Sequence, residues 1–204
     1  MVCVKLTEVE KKSSLSFENI SPALFWLTLG LITLIHFIYL SSVPLSGDEA
    51  YHWEWSRHLA LSYYDHPPMT AWLIALSTRL FGTSLSSVRL PALFSMTISF
   101  IFLYLLCKDM FKDKRLAALA GVLAIVLPIY TIGSIIITTD PPLGLFYTIY
   151  IYSFYQAACR ERKAYWYLSG AAFGAAMLCK FIAYLIIPAA YLLLVFYPKR
   201  RQLH

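Results

Sequence analysis

The sequence carries little charge for its size. Only 14% of its 204 residues are charged, whereas 59% are hydrophobic and the mean hydropathy is +0.64. A chain of this composition cannot present a water-soluble surface around one core. We therefore predict an all-α, polytopic membrane protein, in which lipid is the solvent for most of the chain.

Signals for redox, metal or nucleotide chemistry are also sparse. The four cysteines form no CxxC pair and have no metal-ligand spacing, so we predict no disulfide for Cys3, Cys107, Cys159 and Cys179. The chain has no glycine-rich loop for nucleotide phosphates. No residue spacing requires a metal, although the carboxylates could still bind a divalent cation.

Long apolar runs are abundant. A membrane-spanning helix needs about 20 apolar residues. Six runs approach this length, the fifth being rather short, and they cover residues 24–43, 90–107, 116–137, 143–159, 165–179 and 181–197. A seventh run, Met69–Phe81, contains Arg79 and is shorter, so we predict a helix that lies in or near the membrane interface.

The distribution of Lys and Arg predicts the orientation. If the N-terminus is cytoplasmic, thirteen of the seventeen basic residues lie on the cytoplasmic side. These are Lys5, Lys11, Lys12, Lys108, Lys112, Lys114, Arg115, Arg160, Arg162, Lys163, Lys199, Arg200 and Arg201. The net charge of +6 then reflects topology, and we predict no nucleic-acid partner.

This topology predicts three parts in a plasma (bacterial inner) membrane protein. Residues 1–23 form a cytoplasmic segment, residues 24–198 the transmembrane domain and residues 199–204 a basic cytoplasmic tail. The first outer loop, 44–89, carries helices that lie along the membrane surface. Five of the eleven acidic residues lie on the outer face, namely Asp48, Glu49, Glu54, Asp65 and Asp140.

The first outer loop interleaves charged and aromatic residues where a connector would usually be bland. Helical spacing places Asp48, Tyr51, His52 and Trp55 on one face, where a carboxylate and aromatic rings could bind a sugar. The same segment also fits a capping box, with Ser46 as the N-cap and Glu49 three residues into the helix. Spacing alone leaves both interpretations open.

Two further Asp residues precede proline pairs. Asp140 followed by two prolines fits a helix N-cap at the start of the fourth span, and a helix N-terminus could also bind a phosphate beside the acid. Asp65 and His66 repeat the pattern before Met69–Phe81, and His66 could equally be a solvated interfacial residue. Capping and catalysis do not exclude each other.

Lys180 separates the last two apolar runs. It could extend its amine to the lipid headgroups, or it could face a protein cavity and pair with an anion such as Asp48 or a lipid phosphate. His36 lies within the first span, where a hydrogen-bonded role in helix packing is the simpler interpretation.

The motifs taken together resemble a known family. The segments GDEAYHWEWSRHLALSYYDHPPMTAWLIALSTRLFGTSLSSVRLPALF, TTDPPL and LCKF are similar, in the same order, to the N-terminal half of bacterial relatives of dolichyl-phosphate-mannose protein mannosyltransferases, in glycosyltransferase family 39. The lipid A aminoarabinose transferases are more distant cousins. The resemblance covers about residues 24–198. It implies a GT-C fold with two juxtamembrane helices in the first outer loop.

The resemblance also implies roles for individual residues. The acid of the first-loop DE motif acts as the catalytic base in such families, which here is Asp48 with Glu49 beside it. The acid of the second outer loop matches Asp140, and the basic residue before the sixth span matches Lys180. The predicted catalytic residues are therefore Asp48, Glu49 and Asp140. Members of the family are far longer than 204 residues, so we expect this sequence to be a fragment or a truncated reading frame.

Two positions depart from the aminoarabinose transferases. Tyr51 stands where those enzymes have arginine, and His66 where they have lysine. These differences leave the reaction class in place and make the substrate uncertain.

The implied function is an inverting glycosyltransferase that uses a polyprenyl-phosphate sugar, of undecaprenyl or dolichyl type, and a protein, lipid or glycan acceptor. Asp48 would remove the acceptor proton, and Lys180, His66 and Arg89 would stabilise the departing phosphate. Tyr51, Trp53 and Trp55 could stack on the sugar or line the prenyl groove. The predicted substrate-binding set is Tyr51, His52, Trp55, Asp65, His66, Arg89 and Lys180.

Two other functions remain open from the sequence. A transporter or flippase for lipid-linked sugars would need polar groups through the membrane, whereas only His36 lies clearly inside a span. A noncatalytic membrane subunit would fit a truncated chain that has lost part of its site.

Overall fold

The structure, a computed structural model, describes residues 21–196, and within this range it contains helices and no strand. The predicted N-terminal segment, apart from its last three residues, and the predicted basic tail lie outside the described residues. The helices are α1 (Ala23–Tyr39), α2 (Gly47–Arg57), α3 (Met69–Phe81), α4 (Leu85–Phe111), α5 (Lys114–Val126), α6 (Pro128–Gly133), α7 (Asp140–Cys159), α8 (Ala164–Met177), a 3-10 helix (Phe181–Leu185) and α9 (Ile186–Phe196).

The longest apolar helix is α4. Its 27 residues correspond to about 40 Å at 1.5 Å per residue, more than the roughly 30 Å of a bilayer core. Within residues 21–196, α4 alone is long and apolar enough to be counted as a span by length and composition. Ala23–Tyr39, Met69–Phe81 and Phe181–Leu192 are shorter apolar helices. The six predicted spans therefore remain a prediction, whereas the two predicted helices of the first outer loop are present as α2 and α3.

The third predicted span is not one continuous helix. Helix α5 ends at Val126, Leu127 has an extended backbone, and the short α6 follows. Pro128 explains the break, because proline lacks an N–H group and disfavours the helical conformation of the residue before it. The predicted span over 116–137 is therefore interrupted, which apolarity alone does not reveal.

The core packs around α4. Helices α1, α5 and α7 contact it, and Phe25 of α1 stacks on Tyr104 of α4 with ring centroids 4.6 Å apart. Gly121 of α5 leaves room for the Phe25 ring, since a Cβ atom at position 121 would lie 2.5 Å from that ring. His36 is buried and its Nδ1 lies 2.7 Å from Ser134 Oγ, which confirms the predicted packing role. Cys107 and Cys179 form no disulfide bond with another described residue, and Cys3 lies outside the described residues.

Antiparallel packing of α4 and α7 gives the bundle two distinct ends. Gly144 lies near Met96 towards one end, and Gln156 donates a hydrogen bond to Asp109 at the other. No charged residue lies between Arg89 and Lys108 on α4, a separation of about 28 Å at 1.5 Å per residue. We name the end with Arg89 and Asp140 the site end, and the end with Lys108 and Arg160 the basic end.

Candidate functional site

The start of α2 is fixed by a capping box. The Ser46 N–H donates to Glu49 Oε2 at 2.9 Å, and the Glu49 N–H donates to Ser46 Oγ at 3.4 Å. The capping interpretation of this motif is therefore confirmed. Asp48 lies between these two residues in the first turn, and its side chain is exposed at the surface of the site end. A rigid helix start thus carries an exposed carboxylate.

Glu49 points the other way, into the protein. Its side chain is fully buried and accepts hydrogen bonds from Arg89 Nε at 2.7 Å and Arg89 Nη2 at 2.8 Å. The Ile137 N–H donates to the same carboxylate at 3.1 Å. Burial alone would raise the pKa of Glu49, but the Arg89 guanidinium and the backbone donors outweigh it and hold the pKa below its ordinary value.

Arg89 joins the end of α1 to this pair. Its remaining donors bind the carbonyl oxygens of Leu40, Val43 and Pro44 at 2.8 to 3.0 Å. The Arg89 side chain is only 1% exposed. Glu49, predicted as catalytic, and Arg89, predicted as substrate-binding, are therefore enclosed together and do not face the exposed carboxylate of Asp48. Their position suits them to hold Asp48 and the segment that leads to Asp140.

Asp140 forms an ion pair with Lys180. Lys180 Nζ lies 2.7 Å from Asp140 Oδ1, with 35% and 67% of the two side chains exposed. Lys180 thus takes an anionic partner, and that partner is Asp140 rather than Asp48. The capping role of Asp140 was wrong, because Thr139 occupies the N-cap position and Asp140 is the first helical residue. Its carboxylate is directed to the lysine instead.

Backbone contacts bring the Lys180 loop to the first outer loop. The Met69 N–H, at the start of α3, donates to the carbonyl of Leu178 at 2.9 Å. His66 and Lys180 are thereby attached to neighbouring segments, and Ile137 links the second outer loop to α2. The predicted outer residues therefore gather at the site end of the bundle.

Aromatic rings form a wall beside Asp48. Trp55 contacts Tyr51 at 4.2 Å between ring centroids and stacks on Tyr63 at 4.5 Å with an interplanar angle of 6°. The Tyr63 hydroxyl donates to the carbonyl of Trp55 at 2.9 Å, which fixes the stack. The shared helical face predicted for Asp48, Tyr51, His52 and Trp55 is supported by these ring contacts. Tyr63 was missed, because spacing along α2 gives no information about a ring contributed by the following loop.

His52 lies at the base of this wall. Its side chain is 4% exposed, and its ring centroid is 5.6 Å from that of His66. Burial and the neighbouring His66 lower the pKa of His52, against the opposite effect of Asp48 and Asp65. Asp65 accepts a hydrogen bond from the Tyr51 hydroxyl at 3.4 Å. Partial desolvation and Asp65 raise the pKa of Tyr51, so the phenol stays protonated at neutral pH.

An apolar cavity of about 810 Å³ leads away from Asp140. Its walls come from α4, α5, α6 and α7, and apolar side chains such as Leu103, Leu123 and Ile136 form most of the lining. Asp140 and Thr138 mark its polar rim. This cavity could not be predicted from the sequence, since its lining residues have the same composition as any membrane-buried surface.

The sequence matches a known protein family. Residues 65–204 match the family described as dolichyl-phosphate-mannose-protein mannosyltransferase. The chain belongs to this family. Membership confirms the resemblance carried by the sequence motifs, and it also covers the segments that bear His66, Arg89, Asp140 and Lys180.

Individual members of the family show the same relationship. The chain is 28% identical over 176 residues, 85% of its length, to the lipid A galacturonosyltransferase RgtD of Rhizobium johnstonii. It is 29% identical over 193 residues, 83% of its length, to an undecaprenyl phosphate-alpha-4-amino-4-deoxy-L-arabinose arabinosyl transferase of Pectobacterium carotovorum. It spans 36% and 34% of these two relatives, or about a third of their length.

The fold has a solved counterpart within the family. The crystal structure of ArnT from Cupriavidus metallidurans in the apo state superposes with a TM-score of 0.73, at 22% identity, over 90% of this chain and 39% of ArnT. The predicted all-α membrane fold of GT-C type is thereby confirmed. Within residues 21–196, no group of three or more His, Cys, Asp or Glu side chains is arranged to hold a metal ion.

Proposed function

We propose that this chain forms the catalytic N-terminal part of an inverting glycosyltransferase that transfers a sugar from a polyprenyl-phosphate donor. The observation that carries the proposal is the juxtaposition of an apolar cavity, an acidic rim at Asp140 and a cation, Lys180, 2.7 Å from that acid. A lipid phosphate combines the two matching chemistries, an apolar tail and an anionic head.

The cavity suits the tail of such a donor. Ligand sites usually measure about 300–1,000 Å³, and this cavity of about 810 Å³ lies within that range. Its lining is mostly apolar, which suits an isoprenoid chain better than a sugar or a nucleotide. Lys180 at the surface beside Asp140 would then meet the phosphate.

Asp48 is the base in this proposal. The acceptor hydroxyl forms a bond to the anomeric carbon, the bond from that carbon to the phosphate oxygen breaks, and Asp48 takes the hydroxyl proton. The lipid phosphate leaves as an anion, so no protonated acid is required if a cation stabilises the developing charge. Lys180 supplies this cation, Asp140 holds it in position, and one displacement inverts the anomeric centre.

The acceptor side is proposed from the aromatic wall. Tyr51, Trp55 and Tyr63 present ring surfaces next to Asp48, and such surfaces stack well on sugar rings. One relative, RgtD, is a lipid A galacturonosyltransferase. We therefore place a sugar-bearing lipid, rather than a protein hydroxyl, as the acceptor, and Asp65 and His66 at its edge.

The membrane orientation is part of the proposal. The basic end carries Lys108 and Arg160, and the site end, about 28 Å away along α4, carries Asp48, Glu49 and Asp140. The positive-inside rule then places the basic end in the cytoplasm and the reaction on the outer face of a bacterial inner membrane. A cytoplasmic N-terminus follows from this orientation, and the six spans are part of the same proposal.

Transfer of a radiolabelled sugar in membranes tests the function. Membranes containing the chain, and a longer form that includes any downstream sequence, are incubated with a polyprenyl-phosphate sugar or with the matching nucleotide sugar. We expect label to reach a lipid acceptor from the lipid donor only, at least in the longer form. Movement of the donor across the membrane without transfer would support the transporter interpretation, and no reaction in either form would contradict the proposal.

A further inference from the structure

The basic end of the bundle concentrates positive charge in two turns. The turn between α4 and α5 and the turn between α7 and α8 carry seven Lys and Arg residues and three acids. The basic residues are Lys108, Lys112, Lys114, Arg115, Arg160, Arg162 and Lys163. We name this set of seven residues the basic surface.

The two turns form one surface. Arg160 Nη2 donates to the carbonyl of Asp109 at 2.8 Å, and the Tyr155 hydroxyl donates to the same oxygen at 3.1 Å. Gln156 donates from its side chain to the Asp109 carboxylate. These bonds cross from α7 to α4, so charges that are about fifty positions apart in sequence lie on a common face.

Two of the three acids of this face have other partners. Asp109 accepts from Gln156, and Asp113 caps α5 by accepting from the N–H groups of Arg115 at 2.7 Å and Leu116 at 3.5 Å. Among residues 21–196, no salt bridge involves any of the seven basic side chains. Their charge is therefore available to an external anion.

Aromatic rings surround the basic surface. Arg160 lies 6.0 Å from the centre of the Tyr155 ring, and Arg162 lies 6.0 Å from that of Tyr165. One turn further along α8, Trp166 and Tyr167 are 42% and 85% exposed. Basic side chains beside exposed Trp and Tyr are typical of the headgroup region of a membrane.

We infer that the basic surface binds the headgroups of anionic phospholipids in the leaflet opposite the reaction site. A lipid headgroup is preferred to a soluble anion because α4, uncharged from residue 90 to residue 107, extends from this surface into the apolar region. Acyl chains along α4 and α7 would place a phosphate at the level of Arg160 and Arg162. The site end has no part in this binding, so the inference stands apart from the proposed reaction.

Lipid binding to the purified chain of 204 residues tests the inference. Mass spectrometry from detergent micelles would count bound lipid while phosphatidylglycerol, phosphatidylcholine or inorganic phosphate is added. We expect preferential retention of phosphatidylglycerol. The variant R162Q/K163Q should bind it roughly thirtyfold more weakly, since each basic residue near a membrane surface contributes about 1 kcal/mol to anionic lipid binding. Both substitutions leave the Arg160 hydrogen bond to Asp109 in place.

The matched control is R57Q/R79Q, which removes two exposed basic residues at the site end. It should retain wild-type binding. Equal losses in the two variants, no preference over phosphatidylcholine, or equal competition by inorganic phosphate would each overturn the inference. If R162Q/K163Q does not insert, binding to the unmodified chain at high salt still tests the inference. Near 1 M salt the screening length is about 3 Å, so phosphatidylglycerol should be released. Retention at that salt would also overturn it.

Discussion

Glu49 and Arg89 are separated by 40 positions in the sequence and form a two-bond, fully buried ion pair at the site end. Through Arg89 the pair binds the end of α1, and through Glu49 it binds the backbone of Ile137. Three segments that lead to the site are thus held by two side chains. Because Asp48 is next to Glu49, this arrangement also fixes the position of Asp48.

Loss of one partner should therefore destabilise the protein. Glu49→Gln leaves the Arg89 charge buried without a counterion, which typically costs about 3–5 kcal/mol. Arg89→Lys should not restore stability, because an ammonium cannot reach the carboxylate and three carbonyl groups at once. Unfolding of the purified protein in detergent measures both effects. Glu54→Gln, in an exposed ion pair with Arg57, is the control and should change stability by less than about 1 kcal/mol. An unchanged free energy of unfolding in Glu49→Gln would show that the pair does not hold the site.

Stability should fall as the pH drops below the ordinary pKa of histidine. His52 has a lowered pKa because of its burial and His66, despite Asp48 and Asp65 nearby. The folded state then binds the proton less tightly than the unfolded chain, so stability is complete above pH 6.5 and decreases below it. Thermal unfolding between about pH 7.5 and 5 measures the slope. His52→Gln should flatten it, whereas His58→Gln, at an exposed position, should not.

The Lys180 pair should matter for donor use and little for stability. Both side chains are partly exposed, and such pairs contribute about 0–1 kcal/mol to folding. If Lys180 stabilises the departing phosphate, Lys180→Ala should reduce the transfer rate by roughly a hundredfold or more while the melting temperature stays close to wild type. Lys180→Arg should retain part of the rate. A rate unchanged in Lys180→Ala would remove this residue from the mechanism.

Filling the cavity should affect long donors selectively. Gly144 lines the cavity, and a Cβ atom there would meet Met96 Sδ and Ser99 Oγ only at 4.0 Å. The Cβ atom of Gly144→Val therefore fits without a clash, and the added methyl groups reduce the space for an isoprenoid. We expect a raised KM for a long polyprenyl donor and a smaller change for a short-chain analogue. Gly170→Val, where no atom lies within 4 Å of the new Cβ, is the control. Equal effects on both donors would mean that the tail lies elsewhere.

Much of this arrangement could be predicted from short-range sequence signals. Capping at Ser46, the helix Met69–Phe81 and the packing role of His36 all depend on local spacing or on one polar residue in an apolar run. The family followed from motifs in a fixed order, and the comparisons confirmed it.

Long-range partners could not be predicted in the same way. From the sequence alone, Glu49 could equally face a substrate or an arginine. Its partner, Arg89, follows from the way α2 meets α4 in the folded chain. Tyr63 and the cavity depend on how separate elements meet, and Pro128 breaks a run that hydropathy treats as continuous. The roles of Asp48, Asp140 and Lys180 remain predictions for measurement.

The rate of sugar transfer by the Asp48→Asn variant tests the central claim most directly. Asp48 is exposed on a helix start that Glu49 and Arg89 hold in place, so the amide should leave the fold and membrane insertion unchanged. We predict that the rate from a polyprenyl-phosphate sugar falls by about 10²–10⁴-fold, the usual contribution of a general base. Glu54→Gln, on the same helix, should keep wild-type activity. Wild-type turnover in a correctly inserted Asp48→Asn variant would contradict the account.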